Sequence, residues 1–253
     1  MIAVEICLET VQSLRAAKAG GADRAELCAS LGVGGLTPSP GMMRFAAELG
    51  LPARVLLRPR GGGFVYDADE VAVIERDIAA VRGFGLGGVV IGASREDGHL
   101  DRDLLARLLA HCDGLGVTLH RAFDLTPDPF EALEAAIELG FDRILTSGQA
   151  PTAIEGAPLL ARLEAAAAGR VIILAAVDID AGNVGSLIET TSVREVHATC
   201  AGPARPQPPG DDRFGFGYPP PSAERDRVAA LVEAARGSVT RKAIPSPPPA
   251  PGP

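Results

Sequence analysis

Short apolar runs of strand length alternate along the chain with longer stretches in which apolar residues recur at helical spacing. The pattern predicts strands near 2–8, 23–28, 54–60, 87–94, 116–123, 143–148, 171–177 and 195–200. It predicts helices near 10–20, 40–50, 68–83, 101–111, 128–140, 152–168, 180–190 and 222–236. Eight βα units in series call for a parallel sheet, and at this spacing a closed (β/α)8 TIM barrel of the α/β class suits better than an open doubly wound sheet. An open dinucleotide-binding sheet would begin with strand–GxGxxG–helix, which this chain does not. Thr10, Asp101, Asp128 and Asp180 stand at expected helix starts, and Gly20-Gly21, Gly50, Gly140 and Gly169 follow expected helix ends.

Strand parity then sorts side chains between the helix-facing side and the barrel interior. Val4, Ile6 and Leu8 face the helices, which turns Glu5 and Cys7 inward. Ala25 and Leu27 likewise leave Glu26 and Cys28 inside, and Val55 and Leu57 leave Arg58 and Arg60. Strand 5 turns Thr118 and His120 inward with Asp124 at the rim, and strand 8 turns in Glu195, His197 and Thr199. An interior of acids, arginines, histidines and cysteines is unlike the Val/Ile/Leu layers of a purely structural barrel. Buried charges cost several kcal/mol each unless paired. Such a cluster reads either as a structural ion-pair network, Glu5 and Glu26 against Arg58 and Arg60, or as a binding site at the C-terminal ends of the strands.

Composition adds bounds. At 253 residues the chain suits one barrel of roughly 250 residues. Domain assignment is a barrel over 1–240 interrupted by a Pro/Gly-rich loop at 203–221, then a Pro-rich disordered tail over 241–253. Aromatics make up only 4% with no Trp, so the core is aliphatic. A net charge of −8 without a basic tract argues against nucleic-acid and membrane partners. No apolar run approaches the roughly 18–20 residues that span a bilayer, and Met1-Ile2-Ala3-Val4-Glu5 lacks the basic n-region of a signal peptide. Four cysteines are too few for a disulfide framework, which points to free thiols in a reducing cytoplasm.

The stretches VEICLET (4–10), GADRAELCASLGVGGLTPS (21–39), RPRGGGFVY (58–66), TLHRAFDLTPDP (118–129) and RILTSG (143–148) resemble the CutC copper-homeostasis family at matching spacing over about 2–202. The resemblance implies a cytoplasmic (β/α)8 barrel that forms homo-oligomers, with copper(I) as the candidate ligand. Its metal proposal rests on two cysteines that match Cys7 and Cys28. Copper(I) is soft and prefers thiolate. Adjacent strands lie about 4.8 Å apart, so these thiols can share one copper(I), oxidise to a disulfide, or pack as small hydrophobes. The stretch Ala175-Ala176-Val177-Asp178-Ile179-Asp180 departs from a glycine-rich pattern in the family, and its acids disfavour a phosphate site there.

Two functions remain open on these residues. One is copper(I) handling by Cys7 and Cys28. The other is a lyase or isomerase acting on a small hydroxylated or carboxylated molecule. In that case Glu5, Glu26, His120 and Asp124 would supply acid–base groups, with Arg58, Arg60, Arg121, Glu195 and His197 binding substrate. A zinc set of His120 and His197 with Glu195 or Asp124 lacks any compact ligand spacing. His99 and His111 read as surface residues, and Cys112 and Cys200 as structural.

Overall fold

The computed structural model describes residues 1–203 and 220–242. Eight strands run in parallel: β1 Ala3–Leu8, β2 Arg24–Leu27, β3 Ala53–Leu56, β4 Gly88–Ile91, β5 Gly116–Leu119, β6 Arg143–Thr146, β7 Ile172–Ala176 and β8 Glu195–Ala198. They are ordered consecutively and β8 pairs with β1, so the sheet closes. Each strand is followed by a helix: α1 Val11–Ala19, α2 Pro40–Leu49, α3 Ala68–Gly83, α4 Arg102–Ala110, α5 Pro129–Leu139, α6 Ala157–Ala167, α7 Val184–Thr191 and α8 Arg225–Lys242. The protein is a single-domain (β/α)8 barrel. No helix of the described residues is long and apolar enough to cross a membrane.

The helix-facing parity holds along every strand. Val4, Ile6, Ala25, Leu27, Val55, Val89, Ile91, Leu119, Ile144, Ile173 and Val196 are fully or almost fully buried in one aliphatic core with helix residues such as Leu14, Ile78, Leu108 and Leu160. Local chemistry fixes where helices begin. Thr10, Asp101 and Asp128 accept backbone N–H groups of the first turns of α1, α4 and α5, while Asp67 and Glu70 form a reciprocal capping box on α3.

Several expected boundaries shift, three of them for reasons visible in the local contacts. Strand 5 stops at Leu119 because His120 turns the chain into a short 3-10 helix over Arg121–Leu125, its Nδ1 accepting the Ala122 N–H. Asp180 caps a turn, accepting from the N–H groups of Gly182 and Asn183, so α7 starts four residues later than Asp180 itself. The last helix runs past Gly237 to Lys242, two residues into the expected tail, with Ser238 buried and bonded back to the Ala234 carbonyl. Residues 204–219 of the Pro/Gly-rich connection and 243–253 of the tail lie outside the described residues.

Candidate functional site

Strand register builds the interior from neighbouring pairs. Glu5 stands beside Arg24 on β2 and beside His197 on β8, and Cys7 stands beside Glu26. At the base of the barrel Arg24 bridges Glu5 and Glu195, and Arg143 adds two hydrogen bonds to Glu195 at 2.7 and 3.0 Å. Arg54 lies in the same layer, where Gly88 and Gly116 make room for it: a Cβ on Gly116 would come within 2.6 Å of its Nη2. Burial lowers the Arg54 pKa to about 10, helped by Arg143 and Arg24, so it stays charged at neutral pH.

Above this layer sits His197, whose Nδ1 donates to Glu5 Oε1 at 2.8 Å and whose Nε2 faces Glu26 Oε2 at 3.7 Å. Burial alone would discharge the ring, yet its hydrogen bonds to Cys7 and Glu5 raise its pKa well above the ordinary value. Glu5 is burdened by burial too, and His197 with Arg24 still brings it down to about 2. Next in line, Cys7 Sγ lies 3.7 Å from Cys28 Sγ, and Cys28 Sγ lies 3.5 Å from Glu26 Oε2. The ligand atoms of Cys7, Glu26 and Cys28 all fall within 4.8 Å of one another, and all three residues are buried.

The Cys28 hydrogen bond, against burial and with His197 beside it, lowers the Cys7 thiol pKa to about 5. Burial and the Cys7 charge push Glu26 upward. One excess negative charge therefore settles on Cys7, balanced by the His197 imidazolium. Cys112 and Cys200 are each pushed up to about 11, mainly by burial. The ultraviolet absorbance of thiolate should accordingly show one sulfur per chain ionising near pH 5, and His197→Gln should move that step up toward the unperturbed 9.0. A wild-type protein without thiolate below neutrality would contradict this charge assignment.

At the barrel mouth the segment after β3 folds over the interior. Arg58 is buried and its guanidinium donates to the carbonyls of Val33 (2.8 Å), Gly35 (2.9 Å) and Gly62, clasping two loops. His120 is buried against Phe64, with ring centroids 4.5 Å apart, and a Cβ at Gly92 would stand 2.4 Å from its ring. Burial lowers its pKa to about 3, so the imidazole is neutral. Arg58 Nε and His120 Nε2 have no hydrogen-bond partner among the described residues. Each such buried donor costs about 1–3 kcal/mol.

A cavity of about 70 Å³ lies between these layers, lined by Cys7, Glu26, Cys28, Arg58, Phe64 and His120 among others. Cys7 also borders a wider cleft of about 730 Å³, with Glu9, Leu31, Thr199, Ala201 and Pro221 on its walls, which gives the sulfur a route outward.

Several expected site residues are placed elsewhere. Arg60 is not inside: it follows Pro59, beyond the end of β3, pairs with Glu70 and lies over Tyr66, half exposed. Asp124 accepts from Thr146, from the N–H groups of Ser147 and Gln149 and from Arg121, so its oxygens fasten the loop after β6. Glu5 and Glu195 belong to the basal ion layer, where Arg24 holds both and Arg143 holds Glu195, so the network expected between Glu5 and Glu26 and Arg58 and Arg60 does not form. His120, Asp124, Glu195 and His197 do not bring their donor atoms together; among the described residues only Cys7, Glu26 and Cys28 do. His99 and His111 are on the surface, each near a glutamate.

The sequence reading missed Arg24, Arg54 and Arg143. Arg24 has the inward parity of Glu26, and Arg54 that of Arg58, so alternation carried the signal for both. Nothing in the loop sequence marked Phe64. The interior is also less polar than expected, since Leu56 and Val90 pack on the two sulfurs, and Leu145, Leu174 and Ala176 fill the opposite side.

A family model described as the CutC family matches residues 2–202. A CutC family protein of Sinorhizobium medicae is 49% identical over 239 residues, covering 93% of this chain and 95% of its own. The human protein named copper homeostasis protein cutC homolog is 42% identical over 197 residues, covering 78% of this chain and 72% of its own. Among solved structures, the putative copper homeostasis protein CutC from Streptococcus agalactiae matches with a TM-score of 0.76 at 32% identity, over 79% of this chain and 99% of that one. A phosphoribosyl anthranilate isomerase from Thermotoga maritima, at 15% identity and a TM-score of 0.56, shares the barrel alone.

Proposed function

The chain belongs to the CutC family, and from that premise we propose that it binds copper(I) through Cys7 and Cys28 as part of copper homeostasis in the reducing cytoplasm. The observation that carries the reading is the pair of buried sulfurs 3.7 Å apart with the Glu26 carboxyl beside them. A soft d10 ion favours thiolate over the nitrogen and oxygen donors elsewhere in the interior. A thiolate is within reach at neutral pH, because the Cys28 hydrogen bond, against burial and with His197 beside it, lowers the Cys7 pKa to about 5. Loading then requires the Cys28 thiol, and the Glu26 carboxyl where it binds, to release a proton to solvent.

Spacing bears on the coordination. Taking about 2.3 Å for a metal–thiolate bond, the zinc value, a linear ion needs its two sulfurs roughly 4.6 Å apart. The observed 3.7 Å favours a bent site in which Glu26 is the third ligand. Leu56 and Val90 screen this donor set from water on one side, which favours a soft, weakly hydrated ion over zinc or magnesium.

The test is an anaerobic titration of reduced protein with copper(I) against a chromophoric chelator. The expected result is one copper(I) per chain held in competition, with little zinc retained under the same conditions. Failure to draw copper(I) from a weak chelator would overturn the proposal.

A further inference from the structure

We propose that the small cavity beside the thiols binds a short monoanionic carboxylate, held by the Nε2–H of His120 and the Nε–H of Arg58. Both donors are buried, both residues line this cavity, and neither atom has a partner among the described residues. Buried N–H groups without partners are rare in folded proteins, and where they share a cavity they mark the place of an acceptor. Two more buried hydroxyls, on Tyr66 and Ser94, lack partners as well, but neither residue lines the cavity.

The two donors are fixed in place. His120 Nδ1 accepts the Ala122 N–H at 3.0 Å, so a neutral ring carries its proton on Nε2 and is donor-only there. Phe64 on one side and Gly92 close on another leave the ring no room to turn. Arg58 has both terminal nitrogens tied to backbone carbonyls, so its Nε cannot swing out to water without breaking those bonds. The same Phe64 ring lies 5.1 Å from the Arg58 guanidinium carbon, which places both donors around one aromatic side chain.

Size and charge select the ligand class. A volume of about 70 Å³ exceeds the roughly 10–15 Å³ that a single water needs on the same measure, so the cavity has room for more than one water-sized group. It admits a small group such as formate or acetate. Arg58 and Arg121 bring positive charge to the lining, whereas the Cys7 thiolate in the same lining repels a dianion. A planar carboxylate offers one oxygen to each donor.

The experiment uses the full, reduced, metal-free chain labelled with nitrogen-15 in its four histidines. His120 is identified by the signal lost in His120→Phe, and the exposed His99 and His111 serve as internal references. Sodium formate and sodium acetate are added at constant ionic strength, with chloride and phosphate as controls. The expected result is a saturable shift of the His120 Nε2 signal with the carboxylates alone, and an apparent Kd weakened about tenfold or more in Arg58→Lys, which lacks the Nε donor. An unmoved Nε2 signal, or one moved equally by chloride, would overturn the proposal. The wild-type titration stands even if a variant does not fold, and its failure leaves copper binding untouched because no metal is present.

Discussion

Replacing Cys7 and Cys28 together by serine is expected to weaken copper(I) binding by more than a hundredfold, beyond the ~10–100-fold typical of losing an outer-shell partner of a metal site. A hydroxyl is a hard donor that stays protonated at neutral pH, so it replaces neither the softness nor the charge of a thiolate. The fold should survive, because both side chains are small and each new hydroxyl has Glu26 or its neighbour within reach. Cys112→Ser offers the control: that thiol is buried far from the cluster and bonded to the Leu108 carbonyl, so its loss should leave copper binding unchanged. Competition titrations of the two variants check both statements. Retention of copper(I) by the double variant would place the ion elsewhere.

The second large effect is on stability. Arg24 is the single cation shared by Glu5 and Glu195, and all three are nearly inaccessible. Arg24→Met leaves Glu5 its His197 partner and Glu195 its Arg143 partner, and should cost about 1.5–3 kcal/mol at neutral pH, the usual loss of a hydrogen bond to a charged group. For a chain of this size that is a fall in Tm of roughly 3–12 °C. The pH dependence has a definite sign. Despite burial, His197 and Arg24 hold Glu5 at about 2, below its ordinary 4.5, so its contribution is complete above about 4.5 and disappears as pH falls toward 2. Without Arg24 that depression shrinks, and the gap between wild type and variant should close across the same acid range. Thermal melts at several pH values measure it. Equal melting temperatures at neutral pH would mean that water reaches these carboxylates.

The two predictions concern residues that differed in how easily the sequence gave them away. Alternation of apolar and polar positions located all eight strands, because each strand is buried on its helix side by Val, Ile, Leu or Ala at every second place. The same alternation turned Cys7, Glu26, Cys28 and His197 inward, where they meet. It also applies to Arg24 and Arg54, one step nearer the N-terminal ends of their strands, where barrel interiors ordinarily serve stability and not a site. Of the pairs expected between Glu5 and Glu26 and Arg58 and Arg60, Glu5 finds its cation in Arg24 instead.

Parity loses its meaning where a strand stops. Arg60 follows Pro59, which cannot donate to a ladder, and three glycines then let the chain turn, so counting by twos carried it inside when it lies outside. Asp124 sits in a 3-10 helix whose existence depends on the His120 ring accepting a backbone N–H, an interaction no local periodicity encodes. The pocketing of His120 by Gly92 and Phe64 is tertiary throughout. Gly92 reads as an ordinary strand-end glycine until the ring that passes over it is seen.

Copper-edge X-ray absorption of the anaerobically loaded chain tests the central claim most directly. Two sulfur neighbours in the first shell, with at most one lighter atom, are the predicted result. A first shell made of nitrogen and oxygen alone would show that the buried thiols are not where the metal goes.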